Sequence, residues 1–180
     1  MRVIAGELGG RRLRAPRGRA TRPTSDRVRE ALFAMLDDVA GARALDLFAG
    51  SGALGIEALS RGAESAVFVE RDALALRSLR ANLSSLGLAA PRAHVRQGDV
   101  LTALRTARRR KETYDLVFID PPYSRARGWT EELSAALPQL LGPAARVVVE
   151  SDRRAPLRLG LELERERRYG DTSITIHLHR

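Results

Sequence analysis

From residue 43 to residue 150 short strand-like runs alternate with helical ones, and this rhythm restricts the chain more than any other feature of it. The strand-like runs are 44–48 (ALDLF), 66–70 (AVFVE), 93–97 (AHVRQ), 115–120 (DLVFID) and 145–150 (ARVVVE). Helical patterns fill the intervals. The clearest starts at Asp72 as N-cap, repeats Leu76, Leu79, Leu83 and Leu86 along one face, and stops at Gly87. Strands alternating with helices build βαβ units, so a mostly parallel sheet with both faces covered is expected. Two extended segments, 161–168 and 172–179, flank Gly170-Asp171 and read as a closing antiparallel hairpin. Ligands of open α/β sheets bind beyond the carboxyl ends of the strands, so the chemistry belongs there.

The first strand runs into Asp46-Leu47-Phe48-Ala49-Gly50-Ser51-Gly52-Ala53-Leu54-Gly55, a complete G-x-G-x-x-G. Glycines serve where the backbone turns sharply and must approach a ligand with no Cβ in the way. The second strand ends in Glu70, whose carboxylate can accept hydrogen bonds from both hydroxyls of a ribose, with Arg71 beside it. This set suits NAD as well as S-adenosyl-L-methionine. Asp46, inside the strand, can hold the loop and a cofactor amino group. Asp99, followed by Val100 after the third strand, can reach an adenine edge. These two acids favour the adenosyl sulfonium cofactor, although either can also serve simply as a cap for a helix or turn.

The fourth strand leads into Asp120-Pro121-Pro122-Tyr123, the most specific feature of the chain. Two prolines hold the backbone extended and carry no amide hydrogen. The Asp120 carboxylate and the Pro121 carbonyl can each accept a hydrogen bond from an –NH2 group, and Tyr123 offers a ring for a base to stack on. An exocyclic base nitrogen is planar because its lone pair is delocalised into the ring. Two acceptors on its hydrogens localise that pair and aim it at a methyl donor. A proline-rich turn after a buried strand is the plainer explanation of the same four residues.

The net charge is +9, and it is uneven: residues 1–30 hold nine Arg against Glu7, Asp26 and Glu30. Such clustering is the usual footprint of a phosphate-backbone partner, or else a solvated arm. Residues 1–24 read as a basic N-terminal extension, with segments 2–5 and 11–14 paired around Gly6, Gly9 and Gly10. Residues 25–180 read as the catalytic domain. A helix with Thr24 or Ser25 as cap carries Val28, Leu32, Met35 or Leu36, and Val39 on one face and ends at Gly41. Cysteine is absent, which excludes disulfides and thiolate catalysis. No apolar run reaches the ~18 residues of a spanning helix and no secretory h-region opens the chain, so a cytoplasmic location is expected. His94, His177 and His179 lack metal-ligand spacing, and no metal is expected. Trp129 can cover a flipped base or begin a helix packed on the sheet.

Asp46–Gly55 together with Asp120–Tyr123 resembles the class I amino-methyltransferases of nucleic acids. The segments R-V-I-A-G-E-L-G-G-R-R-L at 2–13, Pro16, and T-R-P-T-S-D-R-V-R-E-A-L-F at 21–33 resemble the bacterial 16S rRNA guanine N2-methyltransferases of the RsmD type. The resemblance implies a Rossmann-like fold with a seven-stranded, mostly parallel sheet. It implies S-adenosyl-L-methionine held by Asp46, Phe48, Gly50, Gly52, Glu70, Arg71, Asp99 and Val100. Asp120, Pro121, Pro122 and Tyr123 would hold the guanine, and Arg11, Arg12, Arg22 and Thr24 would lie on the RNA. The implied target is the N2 amino group of guanine 966 of 16S rRNA, within a small-subunit assembly intermediate, and the enzyme is expected to be a monomer. An adenine N6-methyltransferase acting on DNA or RNA is the alternative, because adenine presents the same planar amine. A nicotinamide oxidoreductase would leave the Asp-Pro-Pro-Tyr loop idle. A non-catalytic RNA-binding protein would not need an intact cofactor loop.

Overall fold

The computed structural model describes residues 1–16, 25–121 and 128–180. Seven strands form one sheet: β1 (Arg43–Leu47), β2 (Ser65–Glu70), β3 (Ala93–Gln97), β4 (Tyr114–Ile119), β5 (Leu141–Asp152), β6 (Glu162–Tyr169) and β7 (Thr172–Leu178). Their spatial order is β3-β2-β1-β4-β5-β7-β6. The first five strands are parallel, and β7 joins β5 and β6 antiparallel. The sheet and its closing hairpin match the sequence expectation. The order of the strands reverses between β1 and β4, and that is where the candidate loops meet.

The helices are α1 (Asp26–Leu36), α2 (Ala53–Ser60), α3 (Ala73–Ser85), α4 (Val100–Arg109) and α5 (Trp129–Ala136). Side chains alternate across each strand, so the buried strands feed two cores. Ala44, Phe68, Phe118, Val148 and Ile176 meet Leu32, Phe33 and Leu36 of α1, Ile56 and Leu59 of α2, and Leu79 and Leu83 of α3. Leu45, Val69, Val117 and Val147 meet Leu104 of α4 and Leu133 of α5 on the other face. The Asp72 carboxylate accepts from the Ala75 N–H at 2.9 Å and so caps α3 as its sequence implies.

α1 ends earlier than its apolar pattern suggests. Ser25 caps it, but the helix stops at Leu36 rather than running to Gly41, and Asp37 takes φ 58°. Two adjacent acids, Asp37 and Asp38, oppose the negative end of a helix dipole. The exposed carbonyls are then met from elsewhere in the fold. Arg165 donates to Met35 O at 2.9 Å and Arg146 to Leu36 O at 3.0 Å, which ties the terminal hairpin to α1. Val39 is still buried, so its place on the apolar face did not require a helix.

The N-terminal arm is built into the first core. Val3 and Leu13 are buried there. The arm pairs with itself through Val3 N to Arg11 O and Gly10 N to Val3 O, both 2.9 Å, beside a single Arg2–Arg12 bridge. Glu57 holds it to α2. Its fully buried carboxylate accepts from Ile4 N at 2.7 Å, Ala5 N at 3.1 Å and Arg61 Nε at 2.7 Å. Arg29, buried in α1, donates to the Arg2 carbonyl. Asn82, on the core side of α3, accepts from Arg14 N at 2.8 Å and donates to Arg14 O at 3.0 Å.

Candidate active site

The glycine loop between β1 and α2 is held by two acids. The Asp46 carboxylate accepts from Gly55 N at 3.0 Å, nine residues along the chain, and so closes the loop across its base. Glu70, at the end of β2, accepts from Gly50 N at 2.8 Å and from Arg71 N and Asp72 N, both at 2.7 Å. Asn82 Nδ2 also donates to Ser51 O at 2.9 Å. Gly52 has φ 84°, and a Cβ there would lie 2.4 Å from a Leu79 methyl carbon, so the loop can follow this path only with glycine. Gly50, also left-handed, is different: the nearest atom to a Cβ would be Phe48 O at 3.9 Å, so its face is open. Phe48 itself sits at φ 64°, a conformation that costs a non-glycine residue about 1–3 kcal/mol. Its ring meets Trp129 edge-on with centroids 5.0 Å apart, which places Trp129 at the start of α5 and packed against the loop.

Asp99 is exposed and caps α4, accepting from Thr102 N at 2.9 Å. Hydrogen bonding by Thr102 holds its carboxyl below the usual range. Val100, buried, opens the same helix. Asp99 therefore performs the plain capping role while standing at the carboxyl edge of β3, where the cofactor reading needs it.

Asp120 follows β4 directly. Because Ile119 pairs with Leu47 and with Val149, Asp120 emerges between the glycine loop and Glu150 of β5. By strand alternation, Asp46, Glu70, Asp120 and Glu150 all belong to the α1–α3 face of the sheet. Four carboxylates thus collect at the strand ends of a strongly basic chain. Burial, then Glu150, then Asp46 push the Asp120 carboxyl well above its ordinary value of 3.8. Asp46 is pushed up to about 7, chiefly by burial and further by Glu70, against the lowering effect of the Gly55 N–H. Pro121 is buried next to Asp120. Pro122, Tyr123, Arg22 and Thr24 lie outside the described residues. Arg11 and Arg12 are exposed on the arm, on the α3 side: Arg11 donates to Ser85 O at 3.0 Å.

These features fit S-adenosyl-L-methionine. The open face of Gly50 leaves room for a ligand to approach the backbone, the Glu70 carboxylate lies beside it at the end of β2, and clustered carboxylates suit a cationic sulfonium.

The raised Asp46 carboxyl has a consequence for stability. A carboxyl whose folded value exceeds its unfolded one stabilises the fold fully below the unfolded value, and that contribution fades as pH rises toward about 7. A shift of this size corresponds to something on the order of 4 kcal/mol. Asp46→Asn keeps an oxygen for Gly55 N but cannot ionise. Its Tm is expected to exceed that of the unsubstituted protein at pH 8 and to approach it at pH 5. Thermal melts of the two proteins with the same pH dependence would contradict the assignment.

Sequence reading missed Glu57, Asn82 and Glu150. The signal for the first two was present: a lone acid in the apolar stretch ALGIEALS, and an amide between Leu79 and Leu83 on an apolar stripe.

Residues 1–178 match the model of the family described as Conserved hypothetical protein 95. The chain is 41% identical to a putative rRNA methyltransferase, YlbH, of Bacillus subtilis over the whole of both proteins. It is 40% identical to ribosomal RNA small subunit methyltransferase D of Escherichia coli, over 84% of this chain and 75% of that one. Among solved structures, a putative methyltransferase, yhhF, from Escherichia coli superposes with a TM-score of 0.84 at 36% identity, covering 100% of this chain and 98% of its own. The glycine loop, the acid at the end of β2 and the acid-proline turn after β4 therefore sit on the class I methyltransferase fold, and the chain belongs to the Conserved hypothetical protein 95 family of RsmD-type, S-adenosyl-L-methionine-dependent methyltransferases.

Proposed function

We propose that this enzyme methylates the exocyclic N2 amino group of a guanine in 16S rRNA, guanine 966 by family resemblance, in a small-subunit assembly intermediate in the cytoplasm. The observation that carries the reading is the position of Asp120-Pro121. An amine-accepting pair leaves β4 beside the glycine loop, at the point where strand order reverses. The names of the Bacillus and Escherichia relatives support ribosomal RNA as the substrate.

The Asp120 carboxylate and the Pro121 carbonyl accept the two amine hydrogens, and Pro122 and Tyr123 hold the base. Glu70 takes the ribose hydroxyls and Asp99 the adenine edge, with Phe48, Arg71 and Val100 lining that space. Asp46 and Gly52 set the course of the loop, and Gly50 gives its open face to the ligand. The bound cofactor supplies an activated methyl group on a sulfonium. Holding reactants in line contributes on the order of 7–11 kcal/mol in well-oriented systems, so no metal or strong base is called for. Asp120 must be ionised to accept. A cation among these carboxylates lowers its raised value toward that state. The amine proton leaves late, to Asp120 or to water. Arg11, Arg12, Arg22 and Thr24 of the basic arm meet the RNA, whose target base must be exposed or flipped to react.

The test is transfer of labelled methyl to small ribosomal subunits lacking their native methylations, followed by nucleoside analysis. N2-methylguanosine in 16S rRNA is the expected product. Label in N6-methyladenosine would replace the base assignment and keep the chemistry. Absence of cofactor binding would overturn the reading altogether.

A further inference from the structure

The arm and α3 enclose a groove of about 730 Å3, lined by Arg14, Ala15, Leu74, Arg77, Ser78 and Ala81. The four α3 residues are spaced three and four apart and so share one helix face. Leu74 is one of two large apolar side chains found exposed among the described residues, with half its surface in solvent. Among the described residues the groove has no acidic lining residue. Its two cations are also uncommitted: the Arg14 and Arg77 side chains make no ion pair or hydrogen bond among the described residues. Arg92, Arg96 and Arg146, by contrast, are each paired with a glutamate.

Two guanidinium groups without a partner among the described residues, flanking an apolar strip, suit a partner that is anionic along its backbone and carries flat apolar faces. Single-stranded RNA has that chemistry, whereas a duplex keeps its base faces stacked and out of reach. The groove is also mechanically joined to the active site. Asn82 bonds the arm at Arg14 through both its backbone N–H and carbonyl, and bonds the glycine loop at Ser51. A strand seated in the groove is therefore held in fixed register with the cofactor loop, and setting register is what phosphate contacts do.

We propose that this groove is a second RNA subsite, distinct from the pocket for the target base. It takes an unpaired segment of the substrate RNA, with phosphates on Arg14 and Arg77 and a base against Leu74. The proposal rests on the reading of RNA as the substrate.

The test uses the full chain with the Arg14→Glu/Arg77→Glu double substitution and under-methylated small subunits. Cofactor affinity and kcat are expected to hold. KM should rise about 10-fold or more, and the dependence of log KM on log salt should flatten by about 2. Because the chain has no cysteine, Ser78→Cys creates a single thiol to which an aryl azide can be attached. On irradiation with small subunits it is expected to crosslink to 16S rRNA. Unchanged KM and salt slope would overturn the subsite. So would crosslinks to ribosomal protein alone, or no crosslinks in a mixture where methyl transfer proceeds. Failure of the unsubstituted enzyme to methylate any ribosomal RNA would instead strike the proposed function.

Discussion

Replacing Asp120 by alanine is expected to lower kcat for methyl transfer by about 10²–10³-fold while leaving cofactor affinity near that of the unsubstituted enzyme. The size follows from removing one preorganised hydrogen-bonding group at the reacting atom. Cofactor affinity survives because the loop's own contacts, from Asp46 to Gly55 and from Glu70 to Gly50, do not involve Asp120. Asp120→Asn should fall between the two, since its amide oxygen still accepts but cannot take a proton. The pH profile separates these roles further. The Asp120 carboxyl stands above its ordinary value, so kcat/KM of the unsubstituted enzyme should climb as pH rises and the accepting form fills. The asparagine variant should lack that limb. Near-normal turnover in the alanine variant would remove Asp120 from the chemistry.

Glu57→Ala should cost about 3–5 kcal/mol of stability, the range found when one partner of a buried, paired charge is removed. The loss leaves the Ile4 and Ala5 N–H groups and the Arg61 guanidinium without their acceptor. For a chain of this length that is a drop in Tm on the order of 10 °C. Glu57→Gln keeps an acceptor oxygen and should recover part of it. Calorimetry on the two variants decides the matter. A change of under about 1 kcal/mol for alanine would mean the arm is held chiefly by its other contacts, the burial of Val3 and Leu13 and the bonds from Arg29 and Asn82.

The active-site loops were legible in the sequence because their chemistry is contiguous. Gly50, Gly52 and Gly55 lie within six residues, and Asp120-Pro121 needs only the strand before it to be placed. The sheet was legible because its strands are short and regularly spaced. The basic arm, by contrast, read as a separate extension, since nothing within residues 1–16 names its partners. Ile4 and Ala5 bond to Glu57, and Arg14 to Asn82, across 52 to 68 residues of chain. The early end of α1 was hidden for a similar reason. Its last carbonyls are met by Arg146 and Arg165, more than a hundred residues away. Glu150 belongs to the site through the pairing of β4 with β5, and pairing is not written in either strand alone.

The arm's distant partners also set a timetable. The first fourteen residues emerge from a translating ribosome before the side chains that hold them exist. Arg14 waits 68 residues for Asn82, roughly 3–14 s at ordinary rates of synthesis. Through that interval a short, highly cationic tail projects beside the very class of polymer the finished enzyme is proposed to modify. It becomes part of the core only when α2 and then α3 arrive. The arm can therefore dock only once α3 has been made, at a stage when β4 to β7 have still to follow.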